Sequence, residues 1–307
     1  MANISVGAAQ PWRIVLRRFA IPLIVVSACS VGGAVAGKDL KPSFVPEEQL
    51  EKLDTGKFAQ PTKITNKWAP LKPGTRYVYD GTTINDKGKA VPHQIVVHIT
   101  DLVKTVAGVR TLVAYDLDYE NGQLTEAELA FYAQDDDGNV WYFGEYPEEY
   151  DNGKFDKAPA WLAGIQGARA GIMMKADPQL GTPSYSQGYG PKVNWTDRGQ
   201  VYKVGQSVTV GSTRYSDVLV VKETSLEEEQ NDAFQLKYYA AGVGNIKVGW
   251  LGTGEKTKEE LELTRVEQLD AQETSSVREK ALALEKSAYK RSRIVYAKTE
   301  PMTVLDR

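Results

Sequence analysis

One cysteine, Cys29, and two histidines, His93 and His98, are all that 307 residues hold of those types. No disulfide can form within the chain, and a cysteine–histidine zinc centre lacks ligands. The histidines are five apart on what reads as one strand, and an odd separation sends them to opposite faces. A Ser-His-acid triad is allowed by count, yet no Gly-x-Ser-x-Gly accompanies it. The glycines between Ala158 and Pro191 are followed by no Gly-Lys-Ser/Thr and have no βαβ context, so phosphate-loop and dinucleotide fingerprints are both missing. Asp135-Asp136-Asp137 reads as an exposed turn, because Ala133 would take the first ligand position of an EF-hand loop. No cofactor and no metal ligand set is expected. Basic charge is also scarce. The formal charge is −3, and loss of residues 1–28, which carry three arginines and no acid, moves it to −6. Nucleic acid, which needs a net basic footprint, is excluded as a partner.

Long apolar runs are absent except near the start. Arg13, Arg17 and Arg18 precede the run Phe19 to Val26, which leads into Val26-Ser27-Ala28-Cys29. A positive stretch, an apolar stretch and small residues at a cut describe an export signal over residues 1–28. The closing tetrapeptide resembles a bacterial lipobox, in which Cys29 is acylated and becomes the mature N-terminus. Two rivals are a cut after Ala34-Val35-Ala36 and a retained anchor. For the last, Phe19–Ala36 barely reaches the ~18–20 residues a span needs, and Pro22, Gly32 and Gly33 weaken it as a helix. All three place the folded part outside the cytoplasm, in the periplasm or at the cell surface. The membrane, reached through the lipid anchor, is the first expected partner.

After Cys29, residues 29–66 are polar and proline-bearing and read as a tether or wrapping arm. A β-rich domain is expected over 67–268. Thr75–Asp80, Ile95–Thr100, Thr111–Tyr119 and Thr125–Ala133 are rich in β-branched and aromatic residues, with Asn121-Gly122 and Asp137-Gly138 as hairpin turns between runs. A second series, from Gln200 to Trp250, echoes the first. Phe131-Tyr132-Ala133 matches Tyr238-Tyr239-Ala240, and Leu112–Asp116 matches Leu219–Glu223. The fold class is therefore mainly β: a duplicated antiparallel meander forming a curved sheet or half-barrel. Its halves, about 75–150 and 198–252, are joined by a glycine-rich insert at 151–197, read as a long loop or small helix. A C-terminal helix and tail fill 269–307. Ser276 and Glu279 form a capping box there, and Val277, Ala281, Leu284 and Ala288 make one apolar stripe.

Two-residue turns at Asn121-Gly122 and Asp137-Gly138 place Tyr115 opposite Glu128, Leu117 opposite Glu126 and Tyr132 opposite Phe143. One sheet face then collects Tyr115, Leu117, Tyr119, Glu126, Glu128, Tyr132, Trp141, Phe143 and Glu145. The other face receives Ala127, Leu129, Phe131, Val140 and Tyr142 as core. Carboxylates among rings suit a small ligand: a cation, an amine or sugar hydroxyls. The candidate ligand-binding residues are thus Glu126, Glu128, Glu145, Tyr115, Tyr132, Trp141 and Phe143. An envelope protein or glycan is the alternative partner. A carboxylate-dependent hydrolase of cell-wall or extracellular glycan is the alternative function, since inverting glycosidases separate two carboxyls by about 6.5–9.5 Å. The plainer possibility is that Lys237 and Lys247 of the second half pair with these acids.

Trp141-Tyr142-Phe143-Gly144-Glu145 and Lys237-Tyr238-Tyr239-Ala240-Ala241-Gly242-Val243-Gly244 resemble signatures of a family of secreted or lipid-anchored bacterial proteins. The resemblance covers roughly residues 68–266 and implies an envelope location and a β-fold, with no activity attached. The architecture is also similar to periplasmic half-barrels that carry lipoproteins or sense envelope stress, a likeness of fold alone.

Overall fold

The computed structural model describes residues 45–306; the expected export signal and Cys29 lie outside them. Alternating β-branched and aromatic residues favour a pleated surface buried on at least one side. They form a first meander of β1 (Thr75–Ile84), β2 (Ala90–Val106), β3 (Val109–Glu120), β4 (Gln123–Gln134) and β5 (Val140–Asp151). The insert supplies five short strands: β6 (Lys154–Lys157), β7 (Trp161–Leu162), β8 (Arg169–Met174), β9 (Tyr185–Ser186) and β10 (Gly188–Tyr189). A second meander follows, with β11 (Arg198–Val210), β12 (Thr213–Thr224), the short helix α1 (Leu226–Gln230), β13 (Phe234–Ala240), β14 (Gly244–Leu251) and β15 (Glu260–Gln268). The chain closes with α2 (Ala271–Arg291), α3 (Arg293–Tyr296) and β16 (Thr303–Val304).

All the strands belong to one curved antiparallel sheet. Its order is β10-β8-β5-β4-β3-β2-β1-β15-β14-β13-β12-β11-β9, so β1 and β15 join the two meanders side by side. The duplication extends to register. Leu112 pairs with Tyr132 and Leu219 with Tyr239, and the correspondence continues to Asp116–Glu128 and Glu223–Gln235. Where the sequence suggested a loop or helix, the insert adds short strands at both sheet edges. Gly188 and Tyr189 pair with β8, whereas Tyr185 and Ser186 pair with β11. One segment, Tyr185–Tyr189, therefore touches the two extremes of the sheet.

The curvature gives two apolar layers. On the outer face Val113, Leu129, Phe131, Phe143 and Tyr146 pack under Val277, Ala281, Leu284 and Ala288 of α2. On the inner face residues of both meanders meet, among them Tyr79, Ile99, Tyr142, Trp195, Leu219, Tyr239 and Val248. The apolar stripe of α2 lies where the sequence put it, but the helix starts earlier. Its capping box is Asp270 with Glu273, and Ser276 and Glu279 sit inside it. Both quartets satisfy the same spacing rule. Beneath α2 the fully buried Lys104 bonds Glu285 at 2.7 Å and the Glu300 carbonyl at 2.7 Å, and Glu285 also accepts from the Met302 amide.

From residue 45 onward the expected tether is a wrapping arm. Val45, Leu50, Ile64 and Trp68 are buried. The arm fastens to the β4–β5 turn through Ala59 and Asp136, and to the β13–β14 turn through Lys67 and Gly242. It thereby covers one end of the inner face. Among the described residues no helix is long and apolar enough to cross a membrane.

Candidate functional site

Register decides which side chains share the inner face. From β1 to β5, one row of neighbours runs Tyr79, Ile95, Asp118, Glu126 and Glu149, ending on Lys157 of β6. The next runs Tyr77, Val97, Asp116, Glu128 and Pro147. A third runs Thr75, Ile99, Ala114, Ala130 and Glu145, ending on Trp161 of β7. Beyond it Tyr132 pairs with Tyr142. Acids thus dominate one end of the inner face and rings the other.

Glu126, Glu128, Glu145 and Tyr132 are brought together as the sequence suggested. Tyr115, Trp141 and Phe143 are not: they lie on the outer face, in the layer under α2, with Leu117 packed against the same layer. Val140 and Tyr142, expected in that outer core, face inward instead. Two bulges and a longer turn cause the exchange. In β4 Thr125 is an extra residue between Leu124, opposite Tyr119, and Glu126, opposite Asp118. In β5 Phe143 and Gly144 share the space between the Tyr132–Tyr142 and Ala130–Glu145 pairs. The β4–β5 turn spans the five residues from Asp135 to Asn139, where two were expected. Each extra residue inverts the alternation beyond it. Gly144 makes the second bulge possible. Its φ is +132°, and a Cβ there would lie 2.3 Å from the Trp161 carbonyl oxygen.

The acids and rings interlock. The Tyr142 hydroxyl lies 2.6 Å from Glu145 Oε2 and 3.2 Å from Glu128 Oε1. Its ring stacks on Tyr132 at 4.9 Å and meets Trp161 and Trp195 at 5.5 and 5.6 Å. Tyr132 stays half-buried, whereas Glu126, Glu128, Glu145 and Glu149 are all buried. Glu149 forms an ion pair with Lys157 at 2.8 Å. Around these groups is a cavity of about 300 Å³, bounded on its far wall by Lys237, Gln235, Tyr239, Asn245 and Glu259. That volume is at the lower end of the range for small-molecule sites.

The lysines of the second half find acids of their own half. Lys237 Nζ is 2.9 Å from Glu223, and Lys247 Nζ is 2.8 Å from Glu262. Glu223 also accepts from the Gln187 amide at 2.7 Å, tying the edge-joining segment to β12. At the acidic end, His93 Nε2 is 2.7 Å from Asp118 and Nδ1 is 3.1 Å from Glu259. Burial disfavours a charged imidazole, but the hydrogen bond to Asp118 and the contact with the Glu259 carboxylate outweigh it and raise the His93 pKa to about 10. Burial pushes the Asp118 carboxyl up, and His93 draws it back. His98, on the outer face, stacks on Tyr115, and burial lowers its pKa.

Among the described residues, no group of three or more His, Cys, Asp or Glu side chains is arranged to hold a metal ion. Asp116, Asp118, Glu149, Trp195 and Glu259 line the inner face beside Tyr142 and were not among the sequence's candidates. Asp116 and Asp118 alternate with Tyr115 and Leu117, so only the bulge at Thr125 separates the two assignments.

No protein-family model and no curated protein matches the chain. Two solved structures are similar to it. One is a candidate exported protein with a YmcC-like fold from Bacteroides fragilis, at 13% identity and a TM-score of 0.37, covering 66% of this chain and 99% of that one. The other is a candidate lipoprotein from Parabacteroides distasonis, at 11% identity and a TM-score of 0.35, with the same coverage. At this distance neither carries a conclusion about location or activity.

Proposed function

We propose that the chain is an exported, lipid-anchored envelope protein that binds a small ligand, without turning it over, in the cavity between its two meanders. The location rests on the arginines before Phe19, the apolar run and Cys29, together with the resemblance of Trp141–Glu145 and Lys237–Gly244 to secreted or lipid-anchored proteins. The binding site rests on one observation: Glu126, Glu128 and Glu145 share the inner face with the stacked Tyr132 and Tyr142 around a cavity walled by both halves. Carboxylate oxygens on the cavity wall can accept hydrogen bonds from an amine or a hydroxyl. Rings beside them offer a flat apolar surface to an amine-bearing or hydroxyl-rich molecule.

The alternative, a carboxylate-dependent hydrolase, would use the same pair, since the Tyr142 hydroxyl is in hydrogen-bond reach of both Glu128 and Glu145; turnover separates the two readings.

Titration of tryptophan fluorescence with spermidine and with diacetylchitobiose, as probes for amines and sugars, tests the reading. One probe is expected to give a saturable change. Glu128→Gln and Glu145→Gln should each weaken it ten- to a hundredfold at unchanged melting temperature, since a charge-assisted hydrogen bond is worth about 1.5–3 kcal/mol. Release of reducing ends from the disaccharide, lost in both variants, would replace binding by hydrolysis. Saturation by neither probe removes the cavity as a site for amines and sugars.

A further inference from the structure

From Lys286 to Lys298 the chain carries five cations and no acid, although its overall charge is negative. Two of the five would suffice to complement the negative end of α2. Lys286 and Lys290 are one helical turn apart, both exposed; Arg293 and Lys298 follow on and after α3, also exposed. Among the described residues none of these four forms an ion pair, and neither does exposed Lys154 at the start of β6. Arg291 is occupied differently. Its guanidinium covers the Phe155 ring at 3.5 Å, and its Nε lies 3.2 Å from buried Glu148. That contact brings β6 against the end of α2, so Lys154 and Phe155 border the same basic surface. Ile294 projects from its middle at 72% exposure, against 36% for Phe155. Exposed Ile294 and Phe155 thus give this basic face two apolar side chains beside its cations.

We propose that this face, formed by the end of α2, α3 and the start of β6, docks on an anionic lipid surface. Lysine and arginine ammonium and guanidinium groups would meet headgroup phosphates, while Ile294 and Phe155 enter the boundary between headgroups and acyl chains. Chain length is compatible with that. Sixteen residues, 29–44, separate Cys29 from the first described residue, a reach of at most ~55 Å when fully extended. A domain anchored at Cys29 therefore stays within about that distance of the bilayer, given by the extended reach of the chain. The docking itself needs neither the cavity nor acylation, so its test is independent of both.

The test is co-sedimentation of the full chain carrying Cys29→Ser with vesicles of phosphatidylcholine alone or with about a third phosphatidylglycerol. Its arms are a patch variant, Lys286→Glu/Lys290→Glu/Arg293→Glu, and an equal charge change elsewhere, Lys87→Glu/Lys89→Glu/Lys256→Glu. The export segment is common to both and cancels. The expected result is preferential binding to the anionic vesicles that falls about tenfold or more in the patch variant and in high salt, but changes little in the control. Ile294→Ser should weaken binding without altering its salt dependence. Equal binding by the patch and control variants overturns the proposal, as does indifference of the unsubstituted patch to phosphatidylglycerol. The latter result would direct the surface to an acidic protein instead.

Discussion

Replacing His93 by glutamine removes a cation from between Asp118 and Glu259 while leaving a side chain able to hydrogen-bond. The imidazole has a folded pKa of about 10 against 6.5 when free. A raised pKa on a cationic group stabilises the fold fully below about pH 6.5, and the contribution disappears as pH rises through about 10. At about 1.4 kcal/mol per unit, the ceiling near pH 6 is about 4–5 kcal/mol. At pH 8 about 2–3 kcal/mol remains. Asp118 lowers these figures, because its own raised pKa opposes folding once it is ionised in the unfolded chain. Urea unfolding of the wild type and His93→Gln at pH 6, 7, 8, 9 and 10 reads the difference directly. The two stabilities should be 2 kcal/mol or more apart at pH 6–7 and converge towards pH 10. A gap that stays constant across this range would mean that the imidazole is neutral, and that the acidic end is held together by packing instead.

Gly144→Ala is expected to destabilise by about 2–4 kcal/mol, since the added Cβ meets the Trp161 carbonyl and a positive φ is strained in any L-residue; a loss under about 0.5 kcal/mol in urea unfolding would show that the β5 bulge relaxes freely. Metabolic labelling with a fatty-acid probe should tag the wild type and leave Cys29→Ser unlabelled; an unlabelled wild type removes the lipid anchor.

The grouping of the carboxylates was legible because Glu126 and Glu128 both follow Thr125 in the chain. A bulge ahead of both shifts them together, so their common face survived an error in pairing. Tyr115 sits on the other strand and inherited the whole error. Trp141 and Phe143 were misplaced by the five-residue turn, whose three aspartates read equally well as part of a shorter one. A bulge is one residue too many, and composition does not register it. Gly144, inside an aromatic run, was the only local hint. The repeat was legible because Leu112–Asp116 and Leu219–Glu223 share a pattern, and the two segments pair in the same register in the two halves. The insert was not, since its pairing segments are as short as two residues and their partners lie at opposite extremes of the sheet.

That last arrangement bears on how the molecule behaves in company. A long sheet ordinarily presents two rows of unsatisfied amides and carbonyls, and each invites a stray strand from another copy. Here the residues on either side of Gln187 engage one border apiece, and the buried Gln187 side chain fastens the stitch to Glu223. Beyond Gly199, β11 pairs only with β12 among the described residues, so the border from Gln200 to Val210 is where a strand of another copy would add.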